Sequence, residues 1–583
     1  MLIQAFAIAS ALVGQDAPAA RPPVPVYSHA QLAGRMREIR GAEWLTLGRS
    51  RSGLEISALR FAAPGARGKP ALLIVGNVDG SQPWSSSLAL HHAERLAAQP
   101  EGERERALLE RADVIVIPCA NPDAHERRFT SVRSEREATG GGVDDDRDGR
   151  QGEDPPSDVD GDGMIAWMRV EDPAGEWIAD PADERALIKA DAKRGERGRW
   201  KLWPEGRDLD LDERVAEDAA SDACVNRNFA EEFKEHAAES GAYAMSEPES
   251  RALADFVLAH PEIALVVTYG AYDNMVEKPK TTHANARNKL VPAPGVIEAD
   301  AELLAELGQR YRETTGNTAK GSGNDAGSWQ AWLYGHRGLW SLAIHPWDAP
   351  LDAKRADAAT TDAGPQGAER KPGEEPATSS GAPQGQPKGE AASAKKAKRE
   401  PSDDAKRLTW IDTHPEEAAR FVPWHGFEHP ELGPVEIGGF APFARSEPPA
   451  SDSATIAEKE FEFLLSLGAE LARVRIAELS AKPLAPDLFE VSAAIDNLSR
   501  LPLQSASARR TDSVRPLRVR LVLDDGAKLL GGDDALELQR SLGGSGARAE
   551  YRWLVRAARV GDIGLSIDTD HAGSDQRRAE LKP

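Results

Sequence analysis

An α/β domain followed by a C-terminal all-β sandwich is the fold class this sequence predicts, and three observations carry the prediction. Between Tyr27 and Pro350, short wholly apolar runs alternate with stretches of helical spacing. From Leu351 to Lys406 aromatic residues vanish, and Ala, Pro, Gly, Glu, Lys and Ser dominate. Beyond residue 473, short runs of strand character recur between turn residues. Strands alternating with helices bury a mostly parallel sheet on both faces, whereas closely spaced strands with turn signals build sandwiches.

In chain order, Met1–Gly14 reads MLIQAFAIASALVG, an apolar run ending in small residues and followed by an Ala/Pro-rich stretch. Residues 1–20 are therefore expected to be a signal peptide, which makes the protein exported, periplasmic or extracellular. No later stretch approaches the roughly 18 consecutive apolar residues of a membrane span, so no transmembrane segment is expected. The α/β domain is expected over 27–350. Its buried strands are Ala71–Val75, ending at Gly76, then Val114–Ile117, Ile263–Thr268 and Leu339–Ile344. Its helices include Ser86–Leu96 and Glu247–Leu258, the second with Ser246 as N-cap. The dipeptide Asn121-Pro122 predicts a turn after the second strand. Residues 351–407 are expected to be a disordered insertion, because they cannot bury enough apolar surface to offset their ordering entropy. Residues 408–450 are expected to complete the α/β domain, and an amphipathic helix over 456–472 to connect it to the sandwich at 473–583. Sandwich strands are expected at Leu488–Ile495, Leu517–Leu523, Tyr551–Val555 and Ile563–Ile567.

Composition excludes several classes. Against 72 Lys and Arg stand 95 Asp and Glu, a formal charge of −23 over 583 residues. Nucleic acid and anionic membrane surfaces call for clustered Lys and Arg, so neither is an expected partner. The two cysteines, Cys119 and Cys224, are too few for a disulfide scaffold or a Cys-based zinc module. They are compatible with one bridge or with two small buried thiols. In an open α/β sheet, chemistry is sought just past the carboxyl ends of the strands.

Four motifs stand there in order: Gly76-Asn77-Val78-Asp79-Gly80, Val116-Ile117-Pro118 through Asn121-Pro122-Asp123, Asn226-Arg227-Asn228-Phe229, and Ser246-Glu247-Pro248-Glu249. Together they resemble the zinc carboxypeptidase family (carboxypeptidase A/T-like) over roughly 28–350, and again after the insertion to about 449. The resemblance implies a mixed, mostly parallel eight-stranded sheet flanked by helices. It also implies a metallopeptidase that removes C-terminal residues from peptides. In that family a His and a Glu three residues apart, with a second His after a later strand, hold zinc, and a Glu near the end of the domain is the general base.

This sequence departs at all four positions. The first pair falls at Asp79 and Gln82, the second His at Gly270, and the base at His345. Gln is neutral and Gly has no side chain, so at most one ordinary ligand remains. Metal affinity needs several deprotonated ligands in fixed geometry. Zinc is thus implied by the family but not expected to bind, and His345 is expected to be inactive as a base. Asp79 and His345 are expected to face each other as an ion pair. His91, His92, His283 and His336 lack ligand spacing and read as ordinary histidines. What the resemblance leaves is Asn226-Arg227, which matches the pair gripping the substrate's terminal carboxylate. Arg offers a planar fork suited to that group, the alternative being a structural salt bridge. The family's tyrosine has no counterpart in Gly321–Gly327, and its oxyanion-stabilising Arg is not singled out among Arg127, Arg128 and Arg133.

A second constellation is acidic. Asp144, Asp146 and Asp148 before Gly149, and Asp158, Asp160 and Asp162 before Gly163, both fit D-x-D-x-D-G, in which alternate carboxylates converge on a hard cation. A weaker copy, Asp208 to Glu213, lacks the Gly. The twelfth positions hold Pro155 and Arg169 instead of Glu, so these are not standard EF-hands. Structural calcium is the expectation. The sequence thus reads as an exported carboxypeptidase-like pseudoenzyme that binds peptides or another ligand with a free carboxylate. Two alternatives stand beside it: an active metallocarboxypeptidase with a rearranged site, and a calcium-stabilised surface structural protein.

Overall fold

A computed structural model describes residues 21–62, 69–98, 102–139, 155–208, 215–216, 223–282, 292–321, 326–351, 399–557 and 561–582. The expected signal peptide, residues 352–398 of the expected insertion, Asp144, Asp146, Asp148 and His283 lie outside the described residues. The chain divides into two compact units, Met1–Ala166 with Pro204–Ala349 and Phe440–Pro583, and Trp167–Trp203 with Pro350–Gly439.

The first unit is built on a mixed sheet in the order Glu43–Arg49, Glu55–Phe61, Asp113–Ile117, Ala71–Gly76, Ile263–Tyr269, Trp340–Ile344. The last four strands run parallel, and the first two form an antiparallel edge. Every residue of Ala71–Gly76 is buried, and its side chains alternate between two cores. Leu72 and Ile74 join Leu88 and Leu96 of helix Pro83–Ala98, together with Leu304 and Leu307 of helix Glu298–Thr315. Leu73 and Val75 join Leu253 of helix Pro248–Ala259 and Trp329, Trp332 and Leu333 of helix Trp329–Gly335. A strand packed on both faces reads as a continuous apolar run, which is why its period of two is hidden in the sequence.

Six strands, rather than the expected eight, form this sheet among the described residues. The strands after the insertion do not extend it. Phe421–His429 and Gly433–Phe440 enter the other unit, so residues 408–450 do not simply complete the α/β domain. Two cap assignments also change. Helix Pro248–Ala259 follows Glu247, with Pro248 in its first turn, and Ser246 Oγ instead accepts a hydrogen bond from Asn228 Nδ2 at 2.9 Å. Asn121 closes no simple turn, because its side chain caps the short helix Pro122–Glu126 through Ala124 N. The connecting helix runs Ala450–Leu467, with the polar Ser451, Asp452 and Ser453 in its first turn and Gly468 at its end.

The C-terminal sandwich is two four-stranded sheets. One follows the order Val474–Ala485, Leu488–Asn497, Arg548–Ala557, Ala527–Gly532, and the other Leu536–Gln539, Leu517–Leu523, Gly561–Thr569, Gly573–Leu581. Leu517, Val519 and Leu521 point into the shared core with Phe489, Val491 and Trp553, while Arg518 and Arg520 face out. A buried Asp300 ties the sandwich to the α/β helices, accepting from Tyr334 Oη at 2.7 Å and from Ala506 N at 2.7 Å.

In the second unit the strands lie in the order Phe421–His429, Gly433–Phe440, Trp167–Glu171, Trp200–Pro204, Trp177–Asp180, Asp183–Lys189. Helix Asp403–Thr413, capped by Ser402, buries Leu408, Trp410 and Ile411. Among the described residues no helix is long and apolar enough to cross a membrane.

Candidate functional site

The candidate site lies past the ends of strands Ala71–Gly76, Ile263–Tyr269 and Trp340–Ile344. Gly76 is obligatory there, because a Cβ would fall closer than 3.0 Å to the carbonyls of Pro118 and Ser85. The chain then turns through Asn77 in the left-handed region, at φ 55°. Asn77 locks that turn, its Oδ1 accepting from Gln82 N at 3.0 Å. The turn delivers Asp79 and Gln82 into the interior, at 3% and 7% exposure.

Asp79 is fully engaged by the protein itself. One oxygen accepts from Asn226 Nδ2 at 2.6 Å, the other from Ala271 N at 2.8 Å. Asn226 is fixed in turn, its Oδ1 accepting from Trp329 N at 2.8 Å. Gly270 lies directly against this carboxylate, and a Cβ built on it would come closer than 3.0 Å to Asp79 Oδ2. The space that a side chain at Gly270 would take is therefore filled by Asp79. His345 makes no ion pair with Asp79; its Nδ1 donates to Gly270 O at 3.0 Å, and its own carbonyl accepts from Asn317 Nδ2 at 2.8 Å. The expected Asp79–His345 ion pair is thus replaced by two separate sets of bonds, because amide donors lie nearer to the carboxylate. Gln82 Oε1 is buried with no hydrogen-bond partner. One carboxylate, one neutral amide and one glycine do not fit a three-ligand zinc centre.

Arg227 is half-buried. Its Nη1 donates to Asn226 O at 3.0 Å and to Tyr272 Oη, and its guanidinium lies 5.5 Å from the Tyr272 ring centroid. Burial works against its charge, but Tyr272, Glu137 and Asp79 more than offset that and raise its pKa. Glu137 completes the group. Burial and the nearby Asp79 charge push its pKa up to about 7, with Arg227 opposing, and it accepts from Ser81 Oγ at 3.3 Å. Sequence reasoning missed Tyr272 and Glu137. Tyr272 stands two residues past Gly270, and an aromatic so close to a ligand position was the available signal. Nothing in the spacing around Glu137 singles it out. Cys119 and Cys224 form no disulfide, and burial pushes both thiols up to about 12.

The acidic loop differs from expectation as well. Asp158, Asp160 and Glu205 bring carboxylate oxygens within 4.8 Å of one another. Asp162 is outside that group and accepts from Met164 N at 2.8 Å. Glu205, unnoticed in the sequence, is wholly buried and accepts from the backbone N–H groups of Val159, Asp160 and Ala166. Asp158 accepts from Gly161, Asp162 and Gly163 N. Backbone N–H groups thus hold these carboxylates in place.

Residues 38–169 and 195–351 match the family described as zinc carboxypeptidase. Residues 473–580 match a domain of unknown function, DUF8731. Among solved structures, thrombin-activatable fibrinolysis inhibitor is similar at 15% identity, over 55% of this chain and 66% of that one, with a TM-score of 0.35. Carboxypeptidase A from Helicoverpa armigera is similar at 15% identity, over 55% and 64%, with a TM-score of 0.32. A metallo-carboxypeptidase from Burkholderia cenocepacia is similar at 14% identity, over 54% and 58%, with a TM-score of 0.29. The chain spans about two thirds or less of the length of these three proteins. No curated protein matches it. Residues 38–169 and 195–351 of this chain thus form a domain of the zinc carboxypeptidase family.

Proposed function

We propose that the protein is a non-catalytic member of this family that binds peptides or other ligands ending in a free carboxylate. The observation that carries the proposal is the Asp79 carboxylate, satisfied by Asn226 and Ala271 N and seated against Gly270 where a ligand side chain would stand. Arg227 supplies the anchor. Both of its hydrogen bonds to described residues leave from Nη1, so the rest of the fork is left for a ligand. Export belongs to the same proposal, supported by the apolar run at residues 1–14. So does a hard-cation site at Asp158, Asp160 and Glu205.

The test is a titration of matched peptide acids and amides, with zinc content measured alongside. Acids bind more tightly than amides, and protein purified without chelator carries no stoichiometric zinc. Losing a charge-assisted pair with one partner left buried costs on the order of 2–5 kcal/mol. Arg227→Ala therefore weakens acid binding at least tenfold, and Arg227→Lys restores only part of it. Equal binding of acids and amides sinks the proposal, as does one equivalent of tight zinc that peptide hydrolysis requires. A second reading, hydrolysis without the family's metal, is favoured by Glu137, whose carboxyl titrates near neutrality beside Asp79. It requires chelator-resistant peptide cleavage that Glu137→Gln abolishes.

A further inference from the structure

The second unit contains its own pocket, of about 840 Å³, within the range of small-molecule sites. Its walls combine rings and guanidinium groups. Arg169 lies over the ring of Trp200 at 4.6 Å and over that of Trp424 at 4.4 Å, and Arg199 lies over Trp200 at 4.4 Å. Phe421, Ile411 and Pro423 add apolar surface.

The guanidinium groups lining the pocket are already matched. Arg169 Nε donates to Glu436 Oε2 at 2.8 Å. Arg185 takes Asp412 in a bidentate grip, at 2.8 and 2.7 Å, and holds Asp183 as well. Arg199 Nε donates to Glu171 Oε1 at 2.9 Å. Each lining arginine already holds a carboxylate, so an anion entering here meets no unanswered cation, and Glu184, exposed in the lining, is the one carboxylate outside these pairs. A proline-rich peptide needs a row of bare aromatic ledges, whereas the Trp200 ring lies beneath two guanidinium groups and Trp424, with one guanidinium over it, offers a single ring face. What the pocket does offer is paired carboxylate acceptors and guanidinium donors in fixed planes, beside aromatic and aliphatic surface. Arg169 Nη1 is also buried without a hydrogen-bond partner, a donor for which an incoming oxygen is favourable.

We propose that this pocket binds a neutral oligosaccharide. A pyranose has a face of C–H groups that packs on an aromatic ring and a rim of vicinal hydroxyls. Each hydroxyl both donates and accepts, so a rim of them can bridge a guanidinium and a carboxylate without disturbing their charge balance.

The test titrates the full chain by calorimetry with cellotriose, chitotriose and maltotriose, and in parallel with trigalacturonate and a deca-proline peptide. At least one neutral trisaccharide is expected to bind saturably and more tightly than the anionic sugar or the peptide. The Asp412 side chain is 45% exposed, so Asp412→Asn keeps the fold and is expected to weaken that binding at least tenfold. Trp424→Ala does the same, with Trp424→Phe as the milder variant should the alanine protein fail to fold. Arg227→Ala, in the other unit, leaves saccharide binding unchanged. The proposal is overturned if none of the three neutral sugars binds at millimolar concentration. It is equally overturned if Asp412→Asn and the folded Trp424 variant bind like the parent, or if trigalacturonate or the peptide binds more tightly.

Discussion

Replacing Gly270 by Ala probes the centre of the site with one methyl group. The new Cβ would come closer than 3.0 Å to Asp79 Oδ2, a distance that real structures essentially never show. Asp79 has no easy retreat, because Asn226 Nδ2 holds it at 2.6 Å and Ala271 N at 2.8 Å. Either the methyl group is forced in, at about 1–3 kcal/mol for overpacking, or the carboxylate swings away and leaves a buried donor unpaired, at about 1–3 kcal/mol. Gly270→Ala is therefore expected to destabilise the α/β domain by about 1–3 kcal/mol. Asp79→Ala strands both donors and costs about 2–6 kcal/mol. In the double variant the methyl enters space that Asp79 has vacated, so the second substitution adds almost nothing. The coupling energy is then about 1–3 kcal/mol. Urea denaturation of the four proteins, followed through the transition that reports this domain, measures it. Additivity within about 0.5 kcal/mol would refute the account of Asp79 as the occupant of the ligand position.

Other outcomes follow from groups elsewhere in the first unit. Glu460 is wholly buried and donor-bonded by Tyr311 Oη at 2.7 Å, and burial pushes its pKa up to about 8. The folded state therefore keeps a proton that the unfolded chain releases near 4.5. Stability should fall as pH rises from about 4.5 to 8, by on the order of 3–5 kcal/mol, and Glu460→Gln should flatten that slope in denaturation measured across the range. Asp300→Ala leaves Tyr334 Oη and Ala506 N without their acceptor and should cost about 2–4 kcal/mol, lowering the midpoint of thermal unfolding. Millimolar calcium should raise Tm through Asp158, Asp160 and Glu205, and the double change Asp158→Asn with Asp160→Asn should remove the rise. Superimposable melting curves with calcium and with chelator would dismiss the cation site.

Much of the α/β sheet could be read directly, because strands such as Ala71–Gly76 and Asp113–Ile117 are buried on both faces and appear as unbroken apolar runs. The sandwich was equally legible from alternation such as Leu517, Val519, Leu521 against Arg518, Arg520. Its weaker strands Ala527–Gly532 and Leu536–Gln539 were not, since their burial is only partial. The second unit escaped notice because its central pairing joins Arg169 to Glu436 across 267 residues, and no local pattern encodes so distant a partner. At the site, the departure of Asp79, Gln82 and Gly270 from metal-ligand residue types could be read in the sequence. How Asp79 is held could not, because it depends on Asn226 and Ala271 reaching one carboxylate from two separate loops.

Helix Ala450–Leu467 sets the order in which the chain can mature. Its Phe461, Phe463, Leu464 and Leu467 belong to the same core as Leu72, Ile74, Leu265 and Leu342 of the sheet. The last sheet strand, Trp340–Ile344, leaves the ribosome about a hundred residues before that helix does. At roughly 5–20 residues per second, one apolar face of the sheet waits on the order of 5–20 s for its cover during synthesis. The nascent chain is most exposed to aggregation in that interval. A ribosome stalled near residue 440 should present a chaperone-binding, protease-sensitive intermediate, and one stalled beyond the sandwich should not.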